Sequence, residues 1–369
     1  MNYRELWIPL KETVDKSYYI YLSDKIEEYW LQQLKKKQYT KHVIITDENV
    51  YQCYKKTIEF FEDSLGEIHT IIRPAGEEYK HISYLQEVFE ELLSANVDRK
   101  SCIIAFGGGV IGDFAGFVAS TYQRGIDYYQ IPTTLLAMVD SSVGGKVAVN
   151  LNIGKNIVGS FYQPQAVFCN IEFLKTLPEK EWICGLAEML KHSLLDPNVY
   201  ENFRVQVKNQ PNYREWDKER WFQMIFESIQ VKARVVSKDE KETGLRSILN
   251  LGHTVGHAIE SYTHYKALNH GEAVSRGLVF SLLLSNEKWG LGDEIINEVF
   301  DLMKLLKLPM DTYNISSEEL IPHLFYDKKN QGGKVKEVYL KEIGEPIYNQ
   351  ELSLDNFRNT WQRQKQLFG

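Results

Sequence analysis

The hydrophobic pattern of the chain changes its period near residue 177. Before that point, short apolar runs alternate with stretches of helical spacing. Tyr18–Leu22, His42–Thr46, Ile68–Arg73, Ser101–Phe106, Tyr128–Ile131 and Val167–Ile171 read as strands. Ile26–Leu34, Val50–Asp63 and Ile82–Leu93 read as helices between them. This alternation predicts a parallel sheet covered on both faces. Pro178 suits the first turn of a helix. Long helical periodicity follows it, over Glu179–Leu195, Arg220–Lys238, Thr254–Tyr262, Glu272–Trp289 and Asp293–Leu306. Lys334–Tyr348 reads as a short hairpin, and Leu354–Leu367 as a terminal helix. An α/β domain over 1–177 and a mainly helical domain over 178–369 are expected, each large enough for its own core.

Composition narrows the function classes. The 369 residues are 43% apolar and 25% charged, ordinary for a globular protein. A net charge of −7 argues against general affinity for nucleic acid or anionic membranes. Any anionic substrate must therefore be captured by local lysines and arginines. Cys53, Cys102, Cys169 and Cys184 are scattered and form no C-x-x-C, which points to thiols in a reducing compartment. The N-terminus lacks a signal-peptide pattern, and the most apolar stretch, 277–284, is too short to span a bilayer. A soluble, cytoplasmic protein is expected.

Phe106-Gly-Gly-Gly-Val-Ile-Gly-Asp113 joins an apolar strand to a helix of small residues. Glycines in that context let a backbone approach phosphate, and the helix start supplies free N–H groups. Gly107, Gly109 and Gly112 satisfy G-x-G-x-x-G. An ordinary dinucleotide fingerprint also needs an acid ending the next strand. Asp127 begins that strand instead. The turn thus points to a phosphate-bearing ligand, with a plain tight turn as the alternative.

His253-Thr-Val-Gly-His257 places two imidazoles at i and i+4 on one helical face. Thr254 stands where a metalloprotease carries its glutamate, so a hydrolytic zinc site is disfavoured. His270 is a third candidate ligand, and Glu188 is a carboxylate on an otherwise apolar helix. A buried carboxylate needs a cation or a hydrogen-bond partner. Two imidazoles and a carboxylate suit zinc as a Lewis acid, and equally ferrous iron. The spacing does not say which two histidines bind. Core histidines bonded to carbonyls are the plain alternative.

Lys146, Lys155 and Arg124 lie in glycine-punctuated, loop-like contexts among Val, Ile, Gly and Ser. Lys191, Lys232 and Arg246 recur near Glu188 and His253. Singly each reads as a structural ion pair. Together they point to an anionic substrate beside the metal.

These blocks resemble the 3-dehydroquinate synthase family, NAD- and metal-dependent cyclases of the shikimate pathway within the sugar phosphate cyclase superfamily. The resemblance covers nearly the whole chain. It is carried by 76–80, 107–113, 132–146, 154–156, 161–164, 185–188, 250–257 and 270–273. It implies a Rossmann-like NAD-binding domain followed by a helical metal-binding domain, and an NAD-dependent lyase of aromatic amino acid biosynthesis. It makes Glu188, His253 and His270 the ligands of a divalent metal, zinc first and cobalt second. His257 then falls to acid–base work. Asp47, Glu77, Lys80, Gly109, Val110, Ile111, Gly112, Asp113, Thr133, Thr134, Phe173 and Thr176 look like NAD contacts. Asp140, Lys146 and Lys155 match positions between cofactor and substrate. Asn156, Arg124 and Lys146 look like a substrate phosphate pocket, with Arg124 supplied by the partner of a homodimer. Lys232, Arg246 and Asn250 match positions holding the substrate carboxylate and hydroxyls. Lys191 and the Lys328-Lys329 pair are further anion contacts.

The chain departs from the family pattern at Val147 and Ala148, where threonine and glycine are usual. Sibling cyclases acting on sedoheptulose or glucose phosphates also vary there, so they stand as the alternative. Arg246 and Asn250 favour a carboxylated substrate, because Arg246 would otherwise lack its counter-ion. A metal-dependent polyol dehydrogenase and an inactive binding protein remain as further readings.

Overall fold

A computed structural model describes residues 15–25, 28–66, 68–325 and 334–369. The first half alternates strand and helix as its pattern predicts. β1 (Tyr19–Ser23), α1 (Glu28–Lys36), β2 (His42–Asp47), α2 (Glu48–Leu65), β3 (Ile68–Arg73), α3 (Leu85–Ser94), β4 (Cys102–Gly107), α4 (Gly109–Thr121) and β5 (Asp127–Pro132) come first. A hairpin of β6 (Lys146–Leu151) and β7 (Gly154–Phe161) follows, then β8 (Ala166–Asn170). The start of the helix expected at Ile26 lies outside the described residues.

Six strands form one parallel sheet in the order β1-β8-β5-β4-β2-β3. The chain reverses direction across the sheet between β2 and β4. In a parallel sheet the crevice at that reversal, outside the strands' carboxyl ends, is where ligands bind. Both the turn after β4 and Asp47 at the end of β2 open there.

The period-2 alternation of the strands builds two cores. Val43, Ile45, Ile103 and Ala105 pack against Phe114 and Val118 of α4. Ile44, Ile104 and Phe106 face the other way, in one cluster with Leu186, Leu190, Val279 and Leu282 of the helical half. The largest core therefore runs through both halves, where the sequence pattern implied a separate core for each.

The helical half contains α5 (Glu179–Leu194), α6 (Pro197–Asn209), α7 (Lys218–Lys238), α8 (His253–Tyr262), α9 (His270–Trp289), α10 (Asp293–Leu305) and α11 (Ser317–Leu324). The hairpin β9 (Lys336–Leu340) and β10 (Pro346–Glu351) and the terminal α12 (Leu354–Phe368) complete it. Two of these helices were absent from the pattern reading. α6 is polar, with only its Asp196 cap and Pro197 to mark it, and α11 carries Pro322 inside. No described helix is long and apolar enough to cross a membrane.

The β6–β7 hairpin corrects the expectation of loops around Lys146 and Lys155. Its strands pair antiparallel, Lys146 opposite Phe161. Val147 and Val149 are buried against the outer core. A Cβ added at Gly116 of α4 would lie 2.4 Å from Val147 Cγ1, so Val147 fills the space left by that glycine. Glycine-interrupted flanks hid this short alternation.

Phe168 of β8 is fully buried and stacks on Tyr21, Trp30 and Tyr129, with ring centroids 5.2–5.9 Å apart. Phe168→Ala should cost about 3–5 kcal/mol, the range for emptying a buried aromatic site. Chemical denaturation with a measured midpoint and slope checks this.

Candidate active site

Three helices converge on one carboxylate. Glu188 sits inside α5 and is fully buried. His253 is the first residue of α8, after Gly252 in the left-handed conformation (φ 78°). His270 is the first residue of α9, fixed there by a capping box. The Glu272 N–H donates to Asn269 Oδ1 and the Asn269 N–H to Glu272 Oε2, each at 2.9 Å. Gly271 lets the start of α9 touch α5, because a Cβ there would lie 2.3 Å from Cys184 Cα. Cys184 is one turn before Glu188, so this close approach brings His270 against the carboxylate.

His253 Nε2 and His270 Nε2 both lie 3.5 Å from Glu188 Oε1. His253 Nδ1 is 3.2 Å from the Leu251 carbonyl, and His270 Nδ1 is 3.3 Å from Glu260 Oε2. Assigning each Nδ1 hydrogen to its oxygen neighbour leaves two Nε2 lone pairs aimed at a carboxylate oxygen. Glu188 Oε1 itself accepts no hydrogen bond. Lone pairs facing an anion need a cation between them. Without one, a proton takes its place: burial lowers His270, but Glu260 and Glu188 outweigh burial and lift it to about 10. A set of two nitrogens and one oxygen fits a divalent zinc-like ion.

Among the described residues, three groups of side chains have ligand atoms within 4.8 Å of one another: Glu188, His253 and His270; His257, Glu260 and His270; and Asp140, Glu188 and His192. The last is already balanced by cations. The Lys191 ammonium pairs with Glu188, and Lys232 Nζ donates to the Asp140 carboxylate and carbonyl at 2.7 Å each. Burial raises Asp140, but Lys232 and Lys191 outweigh it and hold the carboxyl well below its usual range. Burial, together with the positive charges of Lys191 and Arg246, pulls Lys232 down against the opposing pull of Asp140. In the second group Glu260 is committed to His270 Nδ1. The first group is the best cation site.

His257 lies beside it, its ring 5.3 Å from that of His253 and 6.2 Å from that of His270. Lys146 pairs with Glu242, and Asn250 Nδ2 donates to the same carboxylate at 2.8 Å. Lys146 is therefore half exposed and ion-paired, contrary to the embedded ammonium its neighbours implied. Arg246 is buried, and its guanidinium donates to the carbonyls of Gly144 and Glu240.

At the crevice, α4 begins directly after the glycines, so the first N–H groups of the helix, at Gly109, Val110 and Ile111, have no acceptor within it. A Cβ at Gly112 would lie 2.8 Å from Gln130 Oε1, which explains that glycine as close helix–strand packing. Thr133 N–H donates to Gly107 O, and Thr134 Oγ1 accepts from Ala137 N–H. Asp47 caps α2, accepting from the N–H groups of Asn49 and Val50 at 3.0 Å. Phe173 is buried between Tyr54 and Phe106, and Thr176 bonds the Tyr54 hydroxyl.

Asp113, Lys80 and Glu77 form one buried network. Lys80 Nζ lies 3.0 Å from Asp113 and 3.2 Å from Glu77, and Asn150 Nδ2 donates to Glu77 at 2.8 Å. Burial opposes charge on Lys80, but the two carboxylates outweigh it and raise the lysine. Lys155 continues the chain of charges, 3.9 Å from Glu77 and 4.0 Å from Glu260. The glycine turn and the Glu188–His253–His270 group are thereby joined through Asp113, Lys80, Glu77, Lys155, Glu260 and His270.

One predicted residue, Arg124, lies apart from this cluster, and a second, Asn156, borders it through its backbone. Arg124 is exposed (φ 71°) in the turn between α4 and β5. That turn is at the amino ends of the strands, opposite the crevice. Asn156 is exposed on β7, its N–H bonded to Asn150 Oδ1. Lys328 and Lys329 lie outside the described residues. Two site residues were missed. Glu242 was hidden in the charge run Asp239-Glu-Lys-Glu242, which resembles a solvated turn. Glu260 was legible in principle, because His253, His257 and Glu260 follow i, i+4, i+7 spacing on one helical face.

Fold and site together define a class: a Rossmann-like domain whose glycine turn faces a Glu/His cation site on a helical partner half. The model of the 3-dehydroquinate synthase N-terminal region matches residues 70–184, and that of the C-terminal region matches residues 185–330. A 3-dehydroquinate synthase of Leptospira interrogans serogroup Icterohaemorrhagiae serovar copenhageni is 51% identical over 307 residues, covering 83% of this chain and 84% of the relative. One from Bacillus pumilus is 37% identical over 359 residues, covering 96% and 98%. The chain belongs to the 3-dehydroquinate synthase family. Among solved structures, 2-epi-5-epi-valiolone synthase from Streptomyces hygroscopicus subsp. jinggangensis, with NAD+ and Zn2+ bound, superposes with a TM-score of 0.87 at 23% identity, covering 97% of this chain and 99% of that one. Glycerol dehydrogenase from Schizosaccharomyces pombe superposes at 0.66 with 14% identity, covering 97% and 92%. The fold is thus shared by cyclases and dehydrogenases, and the close relatives separate them.

Glu188→Gln and His253→Ala should each lower bound zinc from about one per chain to near zero, measured by elemental analysis after gel filtration. Unchanged stoichiometry would remove them from the ligand set. Gly271→Ala alters no ligand, yet should weaken zinc at least tenfold by pushing α9 off α5.

Proposed function

We propose that the chain converts 3-deoxy-D-arabino-heptulosonate 7-phosphate into 3-dehydroquinate and phosphate, using NAD and one divalent metal, zinc ahead of cobalt. The observation that carries this reading is the run of charged contacts that joins the glycine turn to the Glu188–His253–His270 group through Lys155. Enzyme relatives bearing that name, at 36–51% identity over most of the chain, support the substrate.

When bound, NAD supplies a hydride acceptor restored within each turnover, and the divalent ion supplies Lewis acidity. The protein's share is binding, orientation and charge. Gly109, Val110 and Ile111 offer N–H groups to a pyrophosphate. Asp47, Thr133, Thr134 and the Glu77–Lys80–Asp113 network shape the rest of that crevice, with Phe173 and Thr176 behind it. Lys191 and Lys232 hold positive charge where a substrate hydroxyl oxygen becomes negative. His257 carries protons beside the ligand group. Lys146, Asn250 and Glu242 form a polar wall for the substrate hydroxyls. Arg246 uses part of its fork on carbonyls, and its remaining N–H groups serve the substrate carboxylate. Val147 lies in the outer core and not in the cleft, so the unusual residue there does not argue for a sugar without a carboxylate.

Arg124 and Asn156 complete the phosphate pocket across a homodimer, with Arg124 of one subunit reaching Asn156 and Lys146 of the other. The exposed position of Arg124 at the amino ends of its own strands, away from its own crevice, supports this. Three buried free thiols support a reducing, cytoplasmic setting. The division into 1–177 and 178–369 belongs to the same reading.

Purified protein with NAD, zinc and the heptulosonate phosphate should release phosphate and form the carbocycle with no net NADH. Accumulating NADH would indicate a polyol dehydrogenase instead. Arg246→Lys should raise the substrate KM at least tenfold while the Kd for NAD stays within twofold. Equal loss of both would detach Arg246 from the substrate.

A further inference from the structure

Glu260 has no part in the chemistry above, yet it is one of the most enclosed carboxylates in the molecule, 5% exposed on α8. Its oxygens have two kinds of neighbour. Oε2 lies 3.3 Å from His270 Nδ1, and Oε1 lies 4.0 Å from Lys155 Nζ. The Lys155 ammonium is also 4.5 Å from the centre of the Tyr265 ring and 3.9 Å from Glu77. Glu260 is thus bracketed by a metal-ligand imidazole and by the ammonium that spans the cleft. A carboxylate removed from water is costly unless it is paired and hydrogen-bonded. Here both needs are met by groups of the site.

The two imidazoles that face Glu188 are oriented differently. His253 is held by a backbone carbonyl two residues before it, that of Leu251. This support is built into the chain and survives any side-chain change. His270 has no such backbone partner among the described residues. Among the described residues its Nδ1 is held by Glu260 alone, ten residues away in sequence and on a different helix. An imidazole at the first position of a helix can rotate about its χ torsions, and it can protonate at either nitrogen. Only a fixed acceptor at Nδ1 keeps the Nε2 lone pair on the side of Glu188.

We propose that Glu260 is the positioning residue of this cation site: it fixes the Nδ1–H tautomer and ring orientation of His270, and through Lys155 it sets the ammonium between the cofactor crevice and the metal. The assignment rests on the ligand set proposed above. It makes the site asymmetric. One histidine is oriented by backbone and the other by a removable side chain. His270 is then the ligand whose donation this carboxylate strengthens, and the ligand that is lost most readily.

The test is zinc affinity by competition with a chromophoric chelator, on full-length protein prepared free of metal. Glu260→Ala should weaken zinc about 10–100-fold, the usual cost of losing the carboxylate behind a ligating histidine. Glu260→Gln keeps an acceptor oxygen for Nδ1–H and should lose less than the alanine variant. A second readout is the nitrogen spectrum of 15N-histidine-labelled, zinc-loaded protein. His270 should show a protonated Nδ1 in the wild type and in Glu260→Gln, and an altered signal in Glu260→Ala. Thermal unfolding of the metal-free proteins shows whether each variant folds, and the glutamine variant carries the test if alanine does not. Alanine and glutamine variants both binding zinc within twofold of wild type would overturn the assignment while leaving the ligand set intact. Wild-type protein that binds no zinc would overturn both.

Discussion

A single negative charge placed where water cannot reach it organises this molecule. Glu188 is fully buried in α5, and one of its oxygens accepts no hydrogen bond. Such a group is tolerable only with positive charge around it. Lys191 meets one oxygen and the two imidazole Nε2 atoms face the other. Much of the helical half can be understood as the means of holding those partners in place. α8 and α9 each begin with a histidine that faces Glu188, and the glycines at their crossings let three helices approach within backbone contact.

That arrangement has to sit at a fixed distance from the sheet. The shared core does this. Apolar residues of one sheet face belong to the same hydrophobic core as residues of α5 and α9, so the crevice at the carboxyl ends of β2 and β4 and the Glu/His group on the helices are built on one core. Charge then runs between them through Lys155. A glycine turn suited to phosphate and a Glu/His group suited to a cation, joined by one network of charges, fit the proposed chemistry, in which one substrate is held through several steps. The dehydrogenase neighbours use the same frame, which is why fold alone does not choose the reaction.

The fold was largely legible. Strands such as His42–Asp47 and Cys102–Gly107 are short, apolar and punctuated, and parallel strands buried on both faces leave that trace. The β6–β7 hairpin, α6 and α11 were not, because their hydrophobic signal is divided by glycine, polar residues or proline. The site was legible in part. Glu188 stood out as a carboxylate on an apolar helix, and His253 and His257 by their spacing. Glu242 did not, since nothing in its charge run distinguishes a carboxylate that will be enclosed from one that will be solvated, and Glu260 was marked only by its helical spacing from His253 and His257.

Local order in the chain determined which residues were available: a glycine turn between strand and helix, a carboxylate among apolar neighbours, histidines at helix starts, and family membership through their combination. Tertiary structure decided which of them meet. Glu188, His253 and His270 are far apart in sequence and come together only because Gly271 packs on Cys184 and the sheet shares its core with α5 and α9. Likewise Arg124 is a basic residue like Lys191 on paper, yet the direction of α4 carries it to the amino ends of the strands, opposite the crevice. Hydrophobic period is a property of neighbouring residues, whereas distance between charges depends on how whole elements pack, and that second quantity exists only once the chain has folded.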